Sequence, residues 1–148
     1  MNISRRAVCA TLAITLAACT QTQESQQSLL ARGDYLVNGI MSCNHCHTPK
    51  DKAGNPIMTR QFAGGAQRFD EVTFTATGSN ITQDAETGIG RWSDADIKRA
   101  LTEGVRPNGV KLAFVMPYPL YQALTPRDLD AVMRSEEHTS ELQSHSFI

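Results

Sequence analysis

The stretch that most constrains this chain is Met41-Ser-Cys-Asn-His-Cys-His-Thr-Pro49. Two cysteines three positions apart, with a histidine directly after the second, leave three chemistries open: a bound metal, a cycling dithiol or a covalently tethered haem. The remaining cysteines narrow the field. The chain has four cysteines in 148 residues, enough for two disulfides in an exported protein. Cys9, however, falls inside an N-terminal targeting segment and Cys19 at its end. Cys43 and Cys46 are then left with each other, a metal or a cofactor.

Residues 1–18 read as a signal peptide of lipoprotein type. Arg5 and Arg6 form a positive start, and the apolar run from Ala7 to Ala18 is too short for a stable span. Leu16-Ala17-Ala18-Cys19 resembles a lipobox, which implies lipidation of Cys19 as the first mature residue. An ordinary secretory signal with a coincidental cysteine is the alternative. Residues 19–27 are polar and suit a flexible tether from a membrane. The expected location is the bacterial periplasm, anchored to a membrane as a lipoprotein. A formal charge of −1, with no basic excess, gives no reason to expect nucleic acid as a partner.

The other end reads as foreign. Arg134 to His145 resembles the translation of a common sequencing adapter, so residues 134–148 are set aside as an artefactual tail. His138 and His145 leave with it, and the last helix is expected to be cut short near Met133. One domain, 28–133, remains.

Within it, residues 28–40 place Leu29, Leu30, Tyr35, Leu36, Val37 and Ile40 at spacings that suit an amphipathic helix. Gly33 inside that helix costs stability unless a neighbour presses close, and a second helix would be such a neighbour. From 49 to 90 the chain is rich in turn residues, with one short strand expected over 71–77. So long a loop region argues against a self-sufficient core and for a chain wrapped around something large and apolar. Ser93, with Asp96 in the capping-box position, starts a clear helix that Gly104 ends, with Ile97, Ala100 and Leu101 inward. A last helix starts with Thr125 as cap and Pro126 at its first position, with Leu129, Val132 and Met133 inward.

The three readings of the cysteine motif can now be weighed. Structural zinc wants four ligands, usually from two separated pairs, and Cys43, His45, Cys46 and His47 are too crowded to close a tetrahedron. A thioredoxin-like dithiol wants a strand before it and a helix after it; here a helix precedes and a loop follows. C-x-x-C-H is the signature of haem attachment. Cys43 and Cys46 would form the thioethers, and His47 would be carried beneath the iron. Ser4-Arg5-Arg6 resembles a twin-arginine export signal, but attachment of haem after export calls for an unfolded chain crossing first.

His45 lies between the tethers and cannot reach the opposite face of a haem, so the sixth ligand must be sought elsewhere. Methionine is the usual choice in electron carriers. Met41 and Met58 are too near the tether, and Met133 suits packing in the last helix. Met116, before Pro117 in an expected extended segment between helices, is the best candidate. The alternative for Met116 is a gap-filling core residue.

Three segments carry a resemblance: "RGDYLVNGIMSCNHCHTPKD", "NITQDAETGIGRWSDADIKRALTEGVRPNG" and "MPYPLYQALTPRDLDAVM". They resemble class I cytochromes c, and in particular the haem domains in cytochrome subunits of bacterial alcohol, aldehyde and sugar-acid dehydrogenases. The resemblance runs from about Arg32 to Met133. It implies an all-α, single-domain fold of short helices and loops around one covalent haem c, held by Cys43, Cys46, His47 and Met116. It further implies that the Pro49 carbonyl orients His47, that Asn80 and Trp92 contact the haem or its propionates, with simple core packing the equal alternative for Trp92, and that Gly33, Tyr35 and Leu36 pack against the last helix. Those subunits often carry three such domains, whereas this chain has one.

The expected function is electron transfer by a monohaem c-type cytochrome, not an enzyme in its own right, with redox proteins, a membrane or periplasmic dehydrogenase among them, as expected partners. The rival is a haem enzyme or gas sensor whose sixth position is open.

Overall fold

The computed structural model describes residues 26–65 and 68–144, with side chains through Ser135 in the last helix. The expected signal peptide and Cys19 lie outside the described residues. The order of elements is α1 (26–34, continued by a wider helical turn over Tyr35–Ile40), α2 (Cys43–His47), a 3₁₀ turn (Met58–Arg60), β1 (Arg68–Asp70), β2 (Thr75–Thr77), α3 (Asp94–Glu103), α4 (Tyr118–Tyr121) and α5 (Pro126–Ser144).

The all-α expectation is corrected to a helix-rich chain with a small antiparallel hairpin. Arg68 pairs with Thr77, Phe69 with Ala76 and Asp70 with Thr75. The strand expected over 71–77 shortens to Thr75–Thr77. The Glu71 amide donates to the Phe74 carbonyl at 2.9 Å, closing a tight turn in its first half.

The apolar stripe of α1 does form the core. Leu36 and Val37 are buried with Phe62 and Val132, and Met41, Cys43, Ile81 and Leu101 pack around them. At Tyr35 the helix widens, so that the Met41 amide donates to the Leu36 carbonyl at 2.8 Å, five residues back. One extra residue per turn rotates the end of the helix. Ile40, expected inward, is therefore 65% exposed. Tyr35 also faces out, its ring under the Arg32 guanidinium at 5.6 Å, which corrects its expected packing on the last helix.

Gly33 makes that packing instead. A β-carbon at this position would strike the Ala131 carbonyl oxygen and lie 2.7 Å from Ser135 Cβ. The close approach explains a glycine where alanine would favour helix by about 1 kcal/mol. Arg32 Nε meets Asp128 Oδ1 at 2.7 Å beside the contact. The tether expected through residue 27 ends earlier, since 26 and 27 already belong to α1.

α3 begins as expected. Ser93 Oγ accepts from the Asp96 amide at 3.2 Å, and Asp96 returns a bond to the Ser93 amide. Ala100 is buried and Leu101 packs on the core, while Gly104 turns left-handed (φ 68°) to end the helix. Thr125 Oγ1 caps α5 through the Asp128 amide at 3.1 Å. Lys98 Nζ to Asp130 Oδ1, 2.7 Å, ties α3 to α5. Ala131, Val132, Met133 and Ser135 are buried. The expected domain edge at Met133 thus falls inside a helix that runs on to Ser144.

Candidate functional site

The sequence folds the cysteine motif into one turn of helix. Ser42 enters it in the left-handed region (φ 49°), with its hydroxyl donating to the Gly39 carbonyl at 2.9 Å. A non-glycine residue held there is uncommon and costs on the order of 1 kcal/mol or more, so the surrounding bonds must hold it. The turn leaves Cys43 and Cys46, three apart, on one side and half-buried, His45 exposed, and His47 buried.

His47 is 9% exposed, and its Nδ1 lies 2.7 Å from the Ser79 carbonyl oxygen. With a carbonyl as partner, Nδ1 carries the proton and donates. Burial lowers the imidazole's pKa below the ordinary range, and the bond to Ser79 opposes this only in part. A neutral ring with Nδ1 protonated keeps the Nε2 lone pair for a metal. The orienting carbonyl is therefore that of Ser79. The Pro49 carbonyl, assigned this part by resemblance, accepts instead from the Ile57 amide at 2.8 Å.

Two further passes of chain fix this partner. The Gly64 amide donates to the His47 carbonyl at 2.7 Å, the Gly65 amide to Gly78 at 2.8 Å, and the Ile81 amide to Phe62 at 3.0 Å. Gly78 lies so close beneath the motif that a β-carbon would overlap the Cys46 carbonyl oxygen. Thr48, fully buried, takes the Phe62 amide on its hydroxyl at 3.1 Å.

The other expected site residues are more scattered. Asn80 turns its side chain to its own loop: Oδ1 accepts from the Thr82 amide at 2.9 Å and hydroxyl at 2.7 Å, and Nδ2 donates to Thr87 Oγ1 at 2.8 Å. Trp92 is half-buried, and its amide donates to the Ile89 carbonyl at 2.9 Å. Met116 is half-buried in a turn closed by its amide on Ala113 at 3.0 Å, and Pro117 leads straight into the short helix α4. The expected extended segment is thus corrected to a turn, because proline is tolerated at the start of a helix. Met58 is exposed and Met133 buried in α5.

Sequence reasoning missed Ser79, Arg106 and Tyr121. Arg106 Nη2 donates to Ser79 Oγ at 3.0 Å. Tyr121 Oη donates to the Met41 carbonyl at 3.4 Å, joining α4 to the chain just before the motif. Burial first, and then the nearby Cys43 and Cys46 sulfurs, push the Tyr121 hydroxyl up to about 12. The only sequence signal for Ser79 was the turn-rich "TGSN".

The residues fit a haem attached through thioethers: two sulfurs on one helical turn, followed by a buried imidazole already oriented through Nδ1 with its other nitrogen left over. Comparison with known proteins agrees. The chain is 35% identical over 115 residues to the gluconate 2-dehydrogenase cytochrome c subunit of Pantoea cypripedii, an alignment covering 78% of this chain and 24% of that subunit. It is 30% identical over 115 residues to the cytochrome c subunit of a quinone-type alcohol dehydrogenase of Gluconacetobacter polyoxogenes, covering 78% and 23%. It is 30% identical over 103 residues to the fructose dehydrogenase cytochrome subunit of Gluconobacter japonicus, covering 70% and 20%. No protein-family model matches the chain. The chain is similar over most of its length to c-type cytochromes and resembles their haem domains. The resemblance is to the cytochrome subunits of bacterial dehydrogenases in particular, and the chain spans about a quarter or less of their length.

Proposed function

We propose that this protein is a monohaem c-type cytochrome that carries single electrons in the bacterial cell envelope, from a dehydrogenase toward a respiratory acceptor. The observation that carries this reading is the buried His47, one residue after the second cysteine, with Nδ1 committed to a main-chain carbonyl. Cys43 and Cys46 would form the thioethers and His47 the proximal bond. Met116 would close the sixth position from its turn before α4. The bound haem would supply the one-electron ferric–ferrous couple, and a methionine ligand would raise its potential. The protein's own residues attach, orient and shield; none is needed as an acid, base or nucleophile.

The names of the relatives support electron transfer as the activity and a dehydrogenase as the donor. Lipidation at Cys19 would hold the domain at a membrane through residues 19–25, and 28–133 would be the functional unit. Among the described residues, no helix is long and apolar enough to cross a membrane.

The test is the ferrous absorption spectrum of the exported, haem-loaded protein before and after carbon monoxide. Little change in the unmutated protein, and ready binding in Met116→Ala, is the expected result. Immediate binding by the unmutated protein would show an open sixth position and put a haem enzyme or gas sensor ahead of an electron carrier.

A further inference from the structure

The arginine behind Ser79 has no part in attachment, yet it reaches the residue that orients the proximal histidine. Arg106 is half-buried, two residues past the end of α3 at Gly104. Both of its backbone groups are engaged: its amide donates to Val110 at 2.9 Å and its carbonyl accepts from Gly109 at 2.8 Å. The backbone from which the side chain starts is thus anchored in a tight turn. Its Nη2 donates to Ser79 Oγ at 3.0 Å, 27 positions back in the chain. The carbonyl of that same serine sits 2.7 Å from His47 Nδ1.

We propose that Arg106 is a positioning residue for His47, acting through Ser79. The inference rests on the haem reading above. Ser79 has little room to move toward His47, because Gly78 is pressed against Cys46 and the Gly65 amide holds the Gly78 carbonyl. The guanidinium, for its part, holds the serine hydroxyl. A planar donor fork on a rigid base suits that task better than a flexible ammonium. When Arg106 holds Ser79, the peptide carrying the carbonyl keeps its angle, and the bond to His47 Nδ1 stays aligned. Without it, that bond lengthens and the imidazole becomes a weaker donor to iron.

The experiment uses the exported, haem-loaded chain as Arg106→Met, Ser79→Ala and the double variant. Ser79→Ala keeps the carbonyl and the arginine charge while removing the hydroxyl that joins them. Exchange of the His47 Nδ1 proton, followed by NMR, is expected to quicken about tenfold in each single variant, the equivalent of one hydrogen bond. Because the two residues act in series, the double variant should be no faster than either single one. In Ser79→Ala the ferric-to-ferrous ratio at a fixed applied potential should also fall, and a tenfold fall would be about 59 mV for one electron.

Exchange within about twofold of the unmutated protein in Arg106→Met, even with a lowered melting temperature, would make Arg106 merely structural and overturn the proposal. So would additive effects in the double variant. A chain that exports but carries no thioether-linked haem, seen by mass, would overturn the haem reading and this inference together. A loaded chain with unchanged exchange overturns the inference alone.

Discussion

At the scale of single residues, the site depends on what is missing as much as on what is present. Gly78 lies against the Cys46 carbonyl and 3.6 Å, measured from a would-be β-carbon, from His47 Cα. Added volume here cannot be taken up by a flexible side chain, because the atoms it would meet are backbone. The expected outcome for Gly78→Ala is therefore a loss of about 1–3 kcal/mol, the usual range for overpacking, read by thermal melting of the loaded protein. Because the displaced segment carries Ser79, the same variant should also yield less haem-loaded protein per cell. Unchanged melting and yield would show that the 78–80 segment can move away from the motif. The motif itself was open to reading from Cys43, Cys46 and His47 alone, since spacing along one turn decides which side chains share a face. The carbonyl that orients His47 was not, because a main-chain oxygen 32 positions away leaves no side-chain signature.

At the scale of elements, local chemistry explains which parts were legible. α3 declares itself through Ser93, Asp96 and Gly104, all within one short stretch. The widened turn at Tyr35–Ile40 and the Tyr121 bond to Met41, 80 positions apart, are settled by packing and could not be read from periodicity. The loop from Asn80 to Gly90 turns Ile81 and Ile89 inward and is held between them by polar side chains. Asp84 accepts from the Thr87 amide at 2.6 Å and hydroxyl at 2.8 Å, and the Thr87 amide chiefly holds its carboxyl below the ordinary range. A carboxylate depressed in the folded state stabilises it above the unfolded value, near 3.9, and that contribution disappears as pH falls through the folded value. Asp84→Asn should therefore melt at lower temperature than the unmutated protein at pH 6, and the gap should close toward pH 2. A gap that is constant with pH would show that shape, not charge, holds the loop. α5 supplies a second prediction at this scale. Ser135 is buried against Gly33 although it lies within the adapter-like tail. Ending the chain after Ser135 should leave the melting temperature nearly unchanged, whereas ending it after Met133 should lower it by about 4–8 °C for each kcal/mol of lost packing. Equal melting of the two would mean that the α1–α5 contact is complete by Met133.

At the scale of the whole molecule, the question is how a carrier of the kind proposed would find its partners. Eleven basic and twelve acidic residues lie between Cys19 and Met133. Several of them are paired with one another on the surface, as Arg32 with Asp128, Lys98 with Asp130 and Arg68 with Asp70. Exposed pairs of this sort add little stability, but they cancel each other's field at a distance. What remains is a molecule with little long-range attraction for a partner of either sign, since interactions beyond about 10 Å are screened at 0.1 M salt. Association must then depend on short-range fit, and apolar side chains such as Phe114 and Leu120, 76% and 73% exposed on either side of Met116, are available for it. Such contacts are small and transient in electron-transfer pairs, which favours rapid release after each transfer. A strongly steered carrier would instead lose rate steeply as salt rises. The ferrous, haem-loaded protein should therefore be oxidised by an anionic and by a cationic small-molecule reagent at rates that change by less than about threefold across 0.01–0.3 M salt, with opposite and shallow slopes. A steep slope with one reagent would reveal a charged patch beside the haem that the near balance of the whole chain conceals, and would make electrostatic steering the first thing to look for in the natural partner.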